Sequence, residues 1–198
     1  MKNGMIHFIR HSTTTGIEHR WIYGSADLPL SEEGYCLLDE LKSQGIYPPA
    51  DGCDMVTSGM LRANQTLGYI YGEVPFTTIP DLREMGVGIY ECHTHDELKD
   101  DPAYVAWLSD ETGNLAPEGG ESLHGFAERV MRGFSELLES AERDTIVVCH
   151  GGVIANILYH LYCGVEPGAA AFFTYLPKPA RGYSLTIRDG KIADVEGI

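Results

Sequence analysis

The sequence predicts a single α/β domain. Short strand-like apolar runs alternate with helix-like segments along the whole chain, with no repeat and no low-complexity tract. The run Thr145-Ile146-Val147-Val148-Cys149 is continuously apolar, as expected of a strand covered on both faces. A chain of 198 residues suits one domain, and its 43% hydrophobic content is enough to build one core.

The first element is a strand over Met5 to Ile9, followed at once by the polar cluster Arg10-His11-Ser12-Thr13-Thr14. Ser31 is placed to cap a helix whose first turn holds Glu32 and Glu33 and whose apolar stripe is Leu37, Leu38 and Leu41, up to Gly45. Met55 to Ser58 reads as a second central strand, Met60 to Tyr71 as the helix after it, and Phe76 to Ile79 as another strand leading into Glu84. Residues 86–120 are less regular and read as a lid-like insertion. Within them Thr94 and Glu97 have capping-box spacing, and Pro102 can start a short helix. Phe126, Val130, Phe134, Leu137 and Ala141 mark a long helix from Ser122. The strand ending at Cys149 leads through His150-Gly151-Gly152 into a helix over Val153 to Leu161. An apolar run, Ala171 to Leu176, precedes two strands, Ser184 to Arg188 and Lys191 to Val195. Asp189-Gly190 joins them in the manner of a type I′ hairpin.

Charge excludes whole classes of partner. With 14 Lys and Arg against 29 Asp and Glu, the net charge is −15, and no basic run offers the phosphate contacts that a nucleic-acid binder needs. No apolar run reaches the roughly 18 residues of a membrane span, and Met1 to Ile9 is too short for a signal-peptide core. Five scattered cysteines imply neither a disulfide framework nor a zinc knuckle. The chain therefore reads as cytoplasmic, with no membrane or nucleic-acid partner, and leaves the oligomeric state open.

In an open α/β sheet the carboxyl ends of the strands gather the site. Three expected strand ends deliver polar groups: Arg10 and His11 from the first, Ser58 with Arg62 one turn later from the second, and His150 with Gly151 and Gly152 from the last. Glu84 lies just past a fourth. A lone histidine is more often structural than catalytic, but two strand-terminal histidines beside two arginines are a costly arrangement for stability alone.

These residues resemble the histidine phosphatase superfamily, which includes cofactor-dependent phosphoglycerate mutases and fructose-2,6-bisphosphatases. Phe8-Ile9-Arg10-His11-Ser12-Thr13-Thr14 is similar to its R-H-G-x-T signature. Tyr23-Gly24 to Asp27 with Leu28 to Gly34, Thr57 to Thr66, Leu82 to Gly88, Gly119-Gly120-Glu121-Ser122 and Val147 to Gly152 resemble its later blocks in order. The resemblance implies a phosphoglycerate mutase-like fold, a three-layer sandwich with a mostly parallel central sheet and helices on both faces.

It also implies roles. His11 would be the nucleophile that takes the phosphoryl group onto a ring nitrogen. Arg10, Arg62, His150 and Gly151 would surround the phosphoryl oxygens, with Ser12 and Ser58 beside them and Thr14 in support. Glu84 would protonate the leaving alcohol and then activate water, which calls for a raised pKa near a phosphate dianion. An ion pair with an arginine is the plain alternative for Glu84. Cationic side chains would make a metal unnecessary, and no cofactor is implied. The substrate would be a small phosphorylated metabolite, and the stretch Glu84 to Val130 resembles α-ribazole phosphatases. A phosphoglycerate mutase activity and a catalytically silent phosphate-binding regulator are the competing readings.

Two departures stand out. Ser12 replaces the family's glycine after the nucleophile, where its hydroxyl could donate to phosphate or crowd it, and Gly16 or Ile17 stands where the family has an asparagine. Outside the motifs, Cys92, His93, His95, Asp96 and Glu97 read as a surface loop rather than a metal site. Cys149 reads as a buried strand residue turned away from the site. Trp21, Tyr23, Tyr90, Tyr104 and Trp107 would either stack on a substrate or form the insertion's own core.

Overall fold

The protein is described from a computed structural model, whose described residues are 3–165, 168, 171 and 173–198. Its elements in chain order are β1 (Gly4–Arg10), α1 (Thr15–Glu18), β2 (Trp21–Ile22), α2 (Glu32–Ser43), β3 (Asp54–Thr57), α3 (Leu61–Tyr71) and β4 (Thr77–Thr78). They continue with β5 (His93–Thr94), α4 (His95–Leu98), α5 (Pro102–Leu108), α6 (Leu123–Ser140), β6 (Thr145–Cys149), α7 (Gly151–Cys163), β7 (Gly182–Arg188) and β8 (Lys191–Gly197).

The main sheet runs β4-β3-β6-β1-β7-β8. Its first four strands are parallel, while β7 and β8 join antiparallel at the far edge. Alternation along the strands sends side chains to two layers. Ile6 and Phe8 of β1 and Val147 and Cys149 of β6 pack with Phe126, Val130 and Phe134 of α6 and Ile154 and Ile157 of α7. Ile9, Ile146 and Val148 point the other way, onto Ala63 and Leu67 of α3, and α2 packs beyond α3 through Leu38 and Leu41. All five residues of β6 are buried, as its unbroken apolar run predicts. Cys149 thus lies in the α6/α7 layer, fully buried, and burial pushes its thiol pKa far up.

Local signals act as expected. The Ser31 hydroxyl accepts from the Gly34 N–H to cap α2. Thr94 and Glu97 form a complete capping box on α4. Asp189 and Gly190 both have positive φ, 51° and 74°, the signature of a type I′ turn. Three expectations shift. The strand over Phe76 to Ile79 shrinks to two residues, because β4 is an edge strand paired only with Val56 and Thr57, and Phe76 is exposed. Helix α7 begins at Gly151 rather than Val153, directly after an extended His150. The run Ala171 to Leu176 falls partly outside the described residues, and its described part forms turns and irregular chain.

Residues 86–120 carry their own small core, in which Val87, Tyr90, Leu98 and Tyr104 pack with Ile22 and Trp107. A two-stranded ribbon, Trp21–Ile22 against His93–Thr94, fastens this segment to the loop after β1. Tyr90 and Tyr104 are therefore core residues, whereas Tyr23 and Trp107 line an open cleft.

Candidate active site

The parallel strands β1, β3 and β6 end side by side, and their ends bring His11, Ser58 and His150 together. His11 is 3% exposed. Its Nδ1 lies 2.7 Å from the Ser12 carbonyl oxygen. A carbonyl only accepts, so the proton sits on Nδ1 and the lone pair on Nε2. Burial, reinforced by the guanidinium charges of Arg62 and Arg10, holds the ring's pKa well below its ordinary value. The result is a neutral imidazole with one free basic nitrogen, which is the state a nucleophile needs.

The His150 ring stands edge-on to His11, with centroids 5.2 Å apart. Burial, then the charges of Arg62, His11 and Arg10, keeps it neutral as well. The Ser58 hydroxyl lies 2.8 Å from His150 Nε2. That leaves Nδ1 buried without a hydrogen-bond partner among the described residues, a condition shared by Nε of Arg10 and Nε of Arg62. Three unsatisfied buried nitrogens from three different elements, all beside His11, make a cradle for an anion.

Each arginine is locked through its terminal nitrogens. Nη1 of Arg10 donates to the Pro177 carbonyl at 2.7 Å. Arg62 is wholly buried, with Nη1 on the Ala26 carbonyl at 2.8 Å and Nη2 on the Gly24 carbonyl at 2.7 Å. Its guanidinium also lies over the Tyr23 ring, 5.3 Å from the centroid. Gly151 matters by lacking a side chain: a Cβ there would stand 3.0 Å from Arg10 Nε and 2.7 Å from a Leu176 methyl.

Glu84 comes from the loop after β4. Its carboxylate accepts from the Gly152 N–H at 3.0 Å and from its own neighbour, the Met85 N–H, at 3.1 Å. The carboxylate is thereby pinned to the N-terminal turn of α7, one residue beyond Gly151. Two clefts meet at it. One of about 480 Å³ has a mixed lining that includes Ser25, Asp27, Ser58, Arg83 and Arg129. The other, about 310 Å³, is walled by Ile22, Tyr23, Val87, Trp107, Leu115 and Leu123.

Ser12 and Ser58, both expected beside the phosphate, have protein partners of their own. The Ser12 hydroxyl is fully buried and donates to the Gly34 carbonyl at 2.8 Å, so its proton is committed to α2. Ser12 is also absent from the non-glycine residues with positive φ, which among the described residues are Arg20, Cys92, Ala180 and Asp189. A side chain there costs no backbone strain. Ser58 shares a hydrogen bond with Nε2 of His150 and supports the cradle through that ring. Thr14 likewise supports, bonding the Tyr23 hydroxyl at 2.6 Å.

Sequence reasoning missed two anchors. Arg129 grips the Glu84 loop, donating to the carbonyls of Asp81, Arg83 and Glu84 while it pairs with Glu121 at 2.6 Å. Glu91 accepts five hydrogen bonds from residues 24–26 and Val87. Both act on backbone far away in sequence, which no local pattern encodes. Among the described residues no group of three or more His, Cys, Asp or Glu is arranged to hold a metal, and no helix is long and apolar enough to cross a membrane.

The chain is 29% identical over 158 residues to the adenosylcobalamin/alpha-ribazole phosphatase of Salmonella typhimurium, covering 77% of each chain. It is 27% identical over 173 residues to a 2,3-bisphosphoglycerate-dependent phosphoglycerate mutase of Xanthobacter autotrophicus, covering 81% of this chain and 82% of that one. The crystal structure of the alpha-ribazole phosphatase from Shigella flexneri shares the fold, with a TM-score of 0.82 at 23% identity over 94% of this chain and 92% of that one. Residues 6–193, from β1 into β8, match the histidine phosphatase superfamily (branch 1), and the chain belongs to that superfamily.

Proposed function

We propose that the protein is a metal-independent phosphatase that hydrolyses a small phosphomonoester through a phosphohistidine intermediate. The observation that carries this reading is the His11 tautomer: Nδ1 is tied to the Ser12 carbonyl, and Nε2 is left basic among three unpaired buried nitrogens.

In the first step His11 Nε2 attacks phosphorus as the bond to the ester oxygen breaks, and Glu84 gives its proton to that departing oxygen. Arg10, Arg62 and His150 balance the charge on the phosphoryl oxygens throughout, a role that preorganised donors in a water-poor site fill well. In the second step the Glu84 carboxylate takes a proton from water while the water oxygen attacks phosphorus. The P–N bond breaks, phosphate leaves, and both His11 and Glu84 return to their starting states.

The alcohol released at Glu84 can extend into either adjoining cleft. The aromatic lining of the smaller one, together with the similarity to alpha-ribazole phosphatases, supports an aromatic or ribosyl leaving group. A mutase is the second reading, favoured by the phosphoglycerate mutase relatives.

The test is hydrolysis of a generic aryl phosphate in the presence of a chelator, by the wild type and by His11→Ala. Turnover that resists the chelator and vanishes in the variant is expected, and activity surviving in His11→Ala would sink the mechanism. Phosphoglycerate interconversion that requires a bisphosphate primer would establish the mutase reading instead. Phosphate binding without any turnover across a substrate panel would mark a silent pocket.

A further inference from the structure

We infer that Glu91 is a positioning residue for Arg62, acting through the peptide group that joins Gly24 to Ser25. This rests on the reading of Arg62 as a phosphoryl-binding cation.

The geometry is a short relay. The N–H of the Gly24–Ser25 peptide donates to Glu91 Oε1 at 2.8 Å, and the carbonyl of the same peptide accepts from Arg62 Nη2 at 2.7 Å. One amide thus bridges an anion and a cation, its dipole aligned with both, and hydrogen bonds chained in this way strengthen one another. The rest of the loop follows the same polarity. The N–H groups of Gly24 and Ala26 donate to Glu91 Oε2 at 3.0 and 3.1 Å, the Ser25 hydroxyl donates to Oε1 at 2.7 Å, and the Ala26 carbonyl accepts from Arg62 Nη1 at 2.8 Å. Gly24 has no side chain to keep the loop off the Met85 carbonyl, against which it lies.

Why an arginine should be held this way follows from what it is for. A carboxylate bonded directly to Arg62 would fix it equally well but would neutralise its charge. Neutral carbonyls fix the orientation and leave the charge available. Neutral carbonyls on a free loop, however, give no precision. Glu91 supplies the fixed point, because it belongs to the 86–120 segment and also accepts from Val87 N–H at 3.0 Å. The 86–120 segment therefore bears on Arg62 through the backbone of residues 24–26.

The experiment is a double-mutant cycle between Glu91→Gln and Arg62→Lys, read by kcat, KM and the affinity for vanadate, with melting temperature and circular dichroism checked for each variant. Glu91→Gln is expected to lower kcat/KM and vanadate affinity about 10- to 100-fold, as misplacement of a substrate-orienting group does. In the Arg62→Lys background the same change is expected to cost less than about threefold, since the residue it positions is gone. Should Glu91→Gln fail to fold, Glu91→Asp, which keeps the charge and withdraws it, carries the same cycle. Full activity in a folded Glu91 variant while Arg62→Lys is impaired would overturn the proposal, as would losses that simply multiply. An Arg62→Lys enzyme with unchanged kinetics would overturn the phosphoryl-binding role of Arg62, and the proposal with it.

Discussion

The Ser58 hydroxyl and Nε2 of His150 lie 2.8 Å apart, in a part of the site where both residues are buried. Ser58 Oγ also stands 3.4 Å from the Met60 N–H, which can only donate. The Ser58 oxygen accepts from that N–H with one lone pair and shares its other hydrogen bond with the His150 ring, which it holds in place. Ser58→Ala is expected to lower kcat/KM about tenfold, by freeing the ring to rotate and to change tautomer. Steady-state kinetics check this, and an unchanged kcat/KM would show that packing alone sets the ring.

Glu84 is held by two backbone N–H groups at the junction of the two clefts. As a general acid it should matter most when the leaving alcohol is a poor one. Glu84→Gln is expected to slow hydrolysis of an alkyl phosphate by on the order of 100- to 10,000-fold and that of p-nitrophenyl phosphate far less. Equal losses on the two esters would assign Glu84 a binding role instead.

Ser12 bonds Gly34 and keeps ordinary backbone torsions, so the family glycine should be tolerated here without kinetic gain. Ser12→Gly removes a buried hydrogen bond and adds chain entropy to the unfolded state, for an expected loss of about 1–2 kcal/mol in urea unfolding. Its kcat/KM should stay within about threefold of wild type. A large change in KM for phosphate esters would place the hydroxyl in the cradle after all.

Stability should fall on mild acidification. Burial depresses the pKa of His11, His150 and His7 in the folded protein. Between each folded value and the unfolded value of about 6.5, the unfolded chain binds more protons, so stability drops as pH falls below about 6.5 and is flat above it. The slope for each such histidine approaches about 1.4 kcal/mol per pH unit. Carboxylates held low, such as Glu121, whose hydrogen bonds from Arg129 and Gly86 outweigh its burial, lose their contribution only below the ordinary carboxylate range. Urea unfolding at pH 7.5, 6.0 and 5.0 isolates the histidine window, and His150→Asn should remove one histidine's share of the slope. Constant stability across that window would contradict the neutral, buried rings.

Much of this site is legible in the sequence because chemistry and geometry coincide there. Arg10 and His11 close an apolar run, His150 closes another, and Arg62 follows a third by one helical turn, so strand ends alone bring them together. The Ser31 cap and the Asp189-Gly190 turn are legible for the same reason, since each is decided by residues three or fewer apart. What escapes is whatever depends on distant backbone. Glu91 looks like one acid among 29 Asp and Glu, and its partners lie 65 to 67 positions away apart from Val87. The ribbon of β2 and β5 has two residues on each side, too few to show any period. For Ser12 the residue type is visible, but the direction of its hydroxyl depends on where α2 comes to rest.

The two borders of the main sheet bear on how this protein behaves when crowded. At one border β4 offers two residues, too few to template an incoming strand. At the other, β8 turns Ile192 and Val195 toward the interior and leaves Lys191, Asp194 and Glu196 outward, and a break in register at Thr186/Ile187 bends the hairpin. A chain with four parallel strands in its centre exposes long β-forming segments while it folds, and those are the raw material of aggregation. Once closed, the sheet presents a stub on one side and a charged, kinked ribbon on the other, so growth by strand addition stops with the molecule itself.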